Sequence, residues 1–411
     1  MTEPTPIERT RARDFGIMLG TLPPGPENAI TDVAGVRVGY TTLVRGSGQL
    51  VRGVGPVRTG VTAVLPHEGN LFLSKVPAAA TVFNGFGKSL GLMQIDELGQ
   101  VETPILLTNT LTVGRVADAL VAVMLEQNPA IGVSTLGTVN AVVCECNDGF
   151  LNDIQGRHVG EQEMRAALAQ ATVGPVAEGN VGAGTGMITY GFAGGIGTAS
   201  RRLAQEQGNY TLGVLVLANF GRRSDLLIAG VPVGRELERK SQSPRGTISP
   251  PPERREQGSV IVLLATDAPL DARQLGRLTR RVPLGLARTG THMGHGSGDL
   301  AIAFSTAQRI PHDATPLTHT AMILNEQHPA LDALFLAVVE ATEEAVLNAL
   351  CAAHSLEGRD GHRVEALPLE ATLAILHRHG VAGPTSQGME EHEYRWSEAD
   401  PPGERLQGET A

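Results

Sequence analysis

Short, almost wholly apolar runs alternate along the chain with longer stretches whose apolar residues recur at helical spacing. Residues 59–65 (TGVTAVL), 104–108 (PILLT), 139–147 (VNAVVCECN), 210–220 (YTLGVLVLANF), 259–266 (SVIVLLAT) and 300–306 (LAIAFST) are rich in β-branched residues and bounded by turn formers. They predict strands buried on both faces. Residues 29–44 (AITDVAGVRVGYTTLV) predict a hairpin broken by glycine. Between these runs, Val116, Leu120, Val123 and Met124 share one stripe and predict a helix over 116–126. Residues 161–171 predict a short helix. Residues 267–281 predict another, with Asp267 as N-cap and Pro269 in its first turn. Residues 329–353 predict the longest helix. Buried strands interleaved with helices make this an α/β chain, with sheet layers covered by helices on their outer faces.

Two polar stretches break the pattern. Residues 234–258 include SPRGTISPPPERREQG and predict an irregular exposed loop, because prolines remove donors and fix φ. Residues 385–411 are acidic and polar and predict a disordered tail. The expected organisation is one catalytic domain over residues 1–384.

Composition sharpens this picture. Hydrophobic residues make up 41% of the chain but aromatics only 3%, with 50 Gly and 25 Pro. The core must therefore be Val, Leu, Ile and Ala, with glycine where backbones touch. The net charge of −10 and the scarcity of aromatics leave no basic face or stacking platform for nucleic acid. The polar start lacks the apolar core of a signal peptide, and no run of 18 apolar residues exists to span a membrane. Three cysteines cannot build a disulfide framework. Cys144 and Cys146 share one face of a strand, which suits core packing in a reducing cytoplasm. The GAGTG at 182–186 lacks the Lys-Ser/Thr of a phosphate-binding loop. His292 and His295 have no third ligand nearby in sequence, so neither metal nor cofactor is expected.

Four constellations carry candidate chemistry. At Gly258–Ser259 a Pro-rich segment meets a buried strand. Glycine leaves the upstream carbonyl uncrowded, which suits attack by the Ser259 hydroxyl on that carbonyl, an N→O acyl shift and hydrolysis. The new α-amine, with a pKa near 8, then serves as general base for the neighbouring hydroxyl. The plain alternative is a loop ending at a strand. In GHGSGD (294–299), Ser297 and Asp299 lie two apart and share a face if extended, either as a positioning pair or as an ordinary Asp/Ser turn. Asn219 ends a buried strand, as an oxyanion donor or a turn residue. Glu145 and Asn147 lie on the strand face opposite the two cysteines, so Glu145 faces either a cleft or solvent if the cysteines face the core. A carboxylate buried near a cleft would attract a cationic amine.

Together with TDVAGVRVGYTT, PVAEGNVGAGTGMITYGFAGGIGTASR, LGVLVLANFGRR, GSVIVLLATDAPL, RRVPLGLARTG and GHGSGDLAIAFSTA, these residues resemble a known family. It is the L-aminopeptidase/D-esterase (DmpA-like) and β-aminopeptidase family, the P1 (S58) self-processing N-terminal serine peptidases. The likeness runs from about residue 13 to 307, and the helix through 353 fits it. It implies a four-layer αββα sandwich whose core is shared by two chains after self-cleavage between Gly258 and Ser259, one of residues 1–258 and one beginning at Ser259 whose body is 259–384. It implies that Ser259 is the N-terminal nucleophile, that Ser297 and Asp299 position its amine and hydroxyl, and that Asn219 serves the oxyanion. Glu145 would hold the free amine of a small peptide, amide or ester substrate. Some relatives carry Glu where Asp299 stands, and one carries Tyr where Asn147 stands, which affects substrate preference. The assembly implied is a homotetramer of processed protomers. The alternatives are an acyltransferase of the ornithine acetyltransferase type on the same fold, whose nucleophile is Thr, and a non-catalytic binding protein.

Overall fold

The computed structural model describes residues 8–133, 137–240, 257–313, 316–318 and 320–381. In chain order the long strands are β1 (Arg37–Arg45), β2 (Val57–Leu65), β3 (Ser74–Gly85), β4 (Ile105–Asn109), β5 (Val142–Cys146), β6 (Gly195–Arg202), β7 (Thr211–Asn219), β8 (Gln257–Thr266) and β9 (Gly296–Ser305). The helices are α1 (Leu92–Leu98), α2 (Val113–Gln127), α3 (Glu161–Ala169), α4 (Val233–Lys240), α5 (Ala272–Thr279), α6 (Val282–Arg288), α7 (Ala330–Ala352) and α8 (Leu369–Arg378).

The strands form two sheets. One has the order β1-β2-β4-β5. The other runs β3-β9-β8-β7-β6, with the two-residue strands Ile310–Pro311 and Gln100–Val101 added at β3. In this larger sheet β8 and β9 are parallel, and their neighbours pair antiparallel.

Side-chain alternation explains why the strand runs carry so little polarity. Val142, Cys144 and Cys146 of β5 meet Leu215, Leu217, Ile261, Leu263, Leu300 and Ile302 between the sheets. The opposite face of the larger sheet, with Val214, Val216, Val262, Ala301 and Ala303, is buried under α5 and α7, with α6 packed on α7 and α8 packed on α4 in the same core. The opposite face of the smaller sheet, with Val61, Ala63, Leu106 and Val143, is buried under α2 and α3. The architecture is therefore αββα, as expected. Cys144 and Cys146 pack in the core as expected, both as free thiols, and burial pushes the Cys144 thiol up to about 12.

Several expectations need correction. Residues 29–44 hold no hairpin: a 3₁₀ turn (Ile30–Asp32) leads into β1, whose partner is β2. Asp267 does not cap a helix. Its Oδ1 accepts the Thr211 N–H at 2.7 Å, and Asp271 caps α5 through the Gln274 N–H at 2.6 Å. The predicted loop from 234 begins as α4, whose charged surface hides the inward pair Val233 and Leu237. Residues 241–256 of that loop, and the tail at 385–411, lie outside the described residues.

The glycine-dense run at 179–197 packs structural layers together. Its Gly182–Gly184 turn slots against β1 and β2, and a Cβ on Gly197 would stand 1.9 Å from the Ala345 carbonyl of α7.

Helix α7 also carries buried charge. Arg201 of β6 is 0% exposed and pairs with Glu340 at 3.1 Å and Glu344 at 2.7 Å. Arg13 reaches the same Glu344 at 2.6 Å, so the N-terminal segment is tied to α7.

Candidate active site

The parallel pairing of β8 and β9 sets the site. Parallel strands require a crossover connection, here through α5 and α6, and so both strands begin at the same edge of the sheet. Their register places Gly258 beside Ser297, Ser259 beside Gly298 and Val260 beside Asp299. On the other side of β8, the last residue of β7, Asn219, pairs directly with Ser259. Three strand ends thus bring together five of the residues singled out from sequence, Gly258, Ser259, Ser297, Asp299 and Asn219.

Gly258 has φ +129°, and a Cβ there would lie 2.0 Å from the Asn219 carbonyl oxygen. Only glycine fits this close approach. Ser259 is 8% exposed. Its hydroxyl donates to the Gly258 carbonyl at 2.7 Å and accepts the Gly298 N–H at 3.1 Å. The nucleophile candidate therefore lies against the carbonyl it would attack. From below, the Cys146 thiol donates to the Ser259 carbonyl at 3.4 Å. Burial pushes that thiol well above its ordinary pKa, so it remains a donor.

Ser297 and Asp299 do share a face. The Ser297 hydroxyl donates to Asp299 Oδ1 at 2.5 Å, and the same oxygen accepts the Val260 N–H at 3.2 Å. Strand alternation puts this pair on the helix-covered face with Val260, while the Ser259 hydroxyl is on the Gly298 side, toward the other sheet. The pair thus reaches the backbone at 259–260 rather than the hydroxyl. Asn84, at the end of β3, donates to the Gly294 carbonyl at 2.6 Å and pins the turn that leads to Ser297.

Asn219 is 7% exposed. Its Oδ1 accepts the Ile188 N–H at 2.9 Å, and its Nδ2 donates to the Asn147 carbonyl at 3.1 Å. An amide nitrogen carries two donors, so these bonds fix the amide plane and leave an N–H to offer. The Asn147 side chain is exposed, and its Oδ1 accepts the Gly149 N–H at 2.8 Å. The backbone of Asn147, rather than its side chain, is what meets Asn219. Next in sequence, Asp148 is buried, accepts from Asn152 Nδ2 at 3.0 Å, and has its carboxyl pushed up to about 7 by desolvation.

Glu145 is 2% exposed, on the β5 face opposite Cys144 and Cys146. Its Oε1 accepts the Lys88 N–H at 2.8 Å, and its Oε2 accepts the Thr110 hydroxyl. Gly87 stands between Glu145 and Gly298, the neighbour of Ser259 across the β8–β9 register. A Cβ on it would meet Glu145 Oε1 at 3.5 Å and the Gly298 Cα at 3.4 Å. Asn84, Gly87, Lys88 and Thr110 were not anticipated. The first three belong to or follow β3, whose KVPAAATVFNG contains a proline and three alanines and reads poorly as a strand. Thr110 had a signal, the polar TNT that ends β4 before a helix.

The site is suited to nucleophilic acyl chemistry. A hydroxyl held by a backbone N–H, an oriented amide and a buried carboxylate converge at one edge. Among the described residues, no three His, Cys, Asp or Glu side chains are grouped to hold a metal ion.

Comparison with known proteins gives this arrangement a family. Residues 28–364 match peptidase family S58. The β-peptidyl aminopeptidase BapA of Sphingosinicella xenopeptidilytica is 42% identical over 370 residues, covering 89% of this chain and 90% of that protein. The BapA of Sphingosinicella microcystinivorans is 43% identical over 379 residues, covering 90% and 93%. Among solved structures, the L-aminopeptidase D-Ala-esterase/amidase of Ochrobactrum anthropi is 41% identical with a TM-score of 0.82, covering 91% of this chain and 100% of that one. It is described as a prototype of the serine aminopeptidases and a variant of the Ntn hydrolase fold. A β-aminopeptidase of Burkholderia sp. is 43% identical with a TM-score of 0.80, covering 90% of this chain and 99% of that one. The shared layers and the length of these matches leave one conclusion, that the chain belongs to peptidase family S58.

Proposed function

We propose that this hydrolase of the aminopeptidase class activates itself by cleaving the Gly258–Ser259 bond and then uses Ser259 as its N-terminal nucleophile. The observation that carries the proposal is the Ser259 hydroxyl, 2.7 Å from the Gly258 carbonyl oxygen at a position where only glycine fits. Attack of Oγ on the Gly258 carbonyl carbon moves the acyl group from nitrogen to oxygen. Water then hydrolyses the ester, leaving a Gly258 carboxylate and a free Ser259 amine.

In catalysis the amine takes the hydroxyl proton, and the hydroxyl attacks the scissile carbonyl. The remaining Asn219 N–H faces the oxyanion, a contribution of about 3–4 kcal/mol for one such donor. The amine returns the proton to the leaving amine or alcohol, and water releases the acyl group by the reverse sequence. Ser297 and Asp299 hold the amine, and Glu145 holds the ammonium of the substrate. The substrates are short peptides, amides or esters with a free N-terminal L-α, D-α or β residue. The aminopeptidase relatives support hydrolysis over acyl transfer to a second amine. Processed chains 1–258 and 259–411, the body of the second being 259–384, would share one core and assemble as a cytoplasmic homotetramer without cofactor. No helix among the described residues is long and apolar enough to cross a membrane.

Mass analysis of the purified protein tests the mechanism. Two fragments are expected, one ending at Gly258 and one beginning SVIVLL. Ser259→Ala should stay whole and inactive. A chain that remains whole yet turns over substrate at full rate would overturn the proposal.

A further inference from the structure

Glu145 does not stand alone in the site. Its two oxygens are held by donors from different elements, Lys88 N–H from the segment after β3 and the Thr110 hydroxyl from the turn after β4. The main-chain donor cannot be varied by a side chain, but Thr110 can. Its placement is fixed on both sides. Asn109 Oδ1 accepts the Leu111 N–H at 3.1 Å and Asn109 Nδ2 donates to Thr59 Oγ1 at 2.8 Å, which locks the Thr110–Thr112 turn ahead of α2. Thr110 is half-buried, and Leu111 beside it is exposed.

A carboxylate has about four lone-pair directions, and two of them are used here. Which two remain open depends on the carboxylate plane. One N–H alone leaves that plane free to turn, whereas a second donor on the other oxygen fixes it. We propose that Thr110 is a positioning residue for substrate binding, its hydroxyl setting the Glu145 carboxylate so that the open lone pairs meet the substrate ammonium. This inference rests on Glu145 as the amine anchor. The hydroxyl also has acceptor capacity of its own toward the ammonium.

The test uses the full-length protein after processing. Thr110→Val keeps the shape and removes the hydroxyl, and Thr110→Ser keeps the hydroxyl. Each is assayed with a free-amine amino-acid p-nitroanilide and with p-nitrophenyl acetate, which has no amine. Thr110→Val should raise KM for the p-nitroanilide about tenfold, the scale of one hydrogen bond to a charged group, with a much smaller change in kcat. The ratio of kcat/KM for the p-nitroanilide to that for the ester should fall by a similar factor, and Thr110→Ser should restore it. Should the valine variant fail to fold, Thr110→Ala gives the same reading. An unchanged ratio, or equal loss on both substrates, overturns the inference. Glu145→Gln run in parallel separates the two levels. If it leaves KM unaltered, the amine-anchor reading itself fails. If it raises KM while Thr110→Val does not, only the role of Thr110 fails.

Discussion

Asn219 and Ser259 are direct partners across the β7–β8 register, so one pair of hydrogen-bonded strands carries both the candidate oxyanion donor and the candidate nucleophile. Their separation is set by sheet geometry rather than by a loop. With its amide plane fixed by Ile188 and Asn147, Asn219 is oriented before substrate arrives. Asn219→Ala should therefore lower kcat by about 10²–10³-fold, the loss typical of one oxyanion donor. Steady-state kinetics on processed protein would check this, and a kcat within threefold of the parent would refute the role.

The same crowding makes residue 258 selective. Gly258→Ala must place a methyl about where the Asn219 carbonyl now lies, at a φ that side chains rarely adopt. We expect self-cleavage to slow by about two orders of magnitude or stop, because the carbonyl under attack shifts by a sizeable fraction of the required approach distance. A time course of intact mass after expression would read it. Cleavage at the parent rate would show that the close approach is not needed.

The charge of Asp299 should appear in a pH profile. An anion beside an ammonium favours its charged form, so neutralising the anion lowers the pKa of the amine. The base is active when deprotonated. The acidic limb of kcat/KM should therefore move to lower pH in Asp299→Asn, by about one unit. An unmoved limb would mean that the Ser297–Asp299 pair does not sense the base.

Asp148 makes stability depend on pH. Its folded-state carboxyl is pushed up to about 7 by burial, against which bonds from Thr59, Asn152 and Asn109 work only in part. Below about pH 4 folded and unfolded chains both hold the proton. Between about 4 and 7 only the folded chain does, so this contribution to stability is lost as pH rises through the window and levels off above it. The slope is at most about 1.4 kcal/mol per pH unit for one group. Urea midpoints measured from pH 4.5 to 7.5 should decline less steeply in Asp148→Asn. Parallel curves for the two proteins would contradict the assignment.

Much of this is legible in the sequence. Strands β2, β4, β5, β7, β8 and β9 are buried on both faces, and unbroken apolar runs announce that. β3 was hidden because it is built on small residues, Ala78, Ala79 and Ala80, after Pro77, which faces only a two-residue strand. Of the site, the residues in chain-local patterns were visible, namely Gly258 with Ser259, Ser297 with Asp299, Asn219 at the end of an apolar run, and Glu145 with Asn147. Their relation to Asn84, Gly87, Lys88 and Thr110 was not, because it depends on which strands become neighbours. Parallel pairing of β8 with β9 brings 259 beside 298, and no local spacing encodes that choice.

The buried ions on α7 have a consequence for the cut itself. Arg13 and Arg201 precede residue 258, and Glu340 and Glu344 follow it. Pulled apart, each product would carry charges that had been neutralised out of contact with water, and leaving one member of such a pair alone costs about 3–5 kcal/mol. Cleavage would thus sever the backbone without creating two proteins. The halves would be obligate mates, able to lose their covalent link because their affinity was completed while they were still one chain.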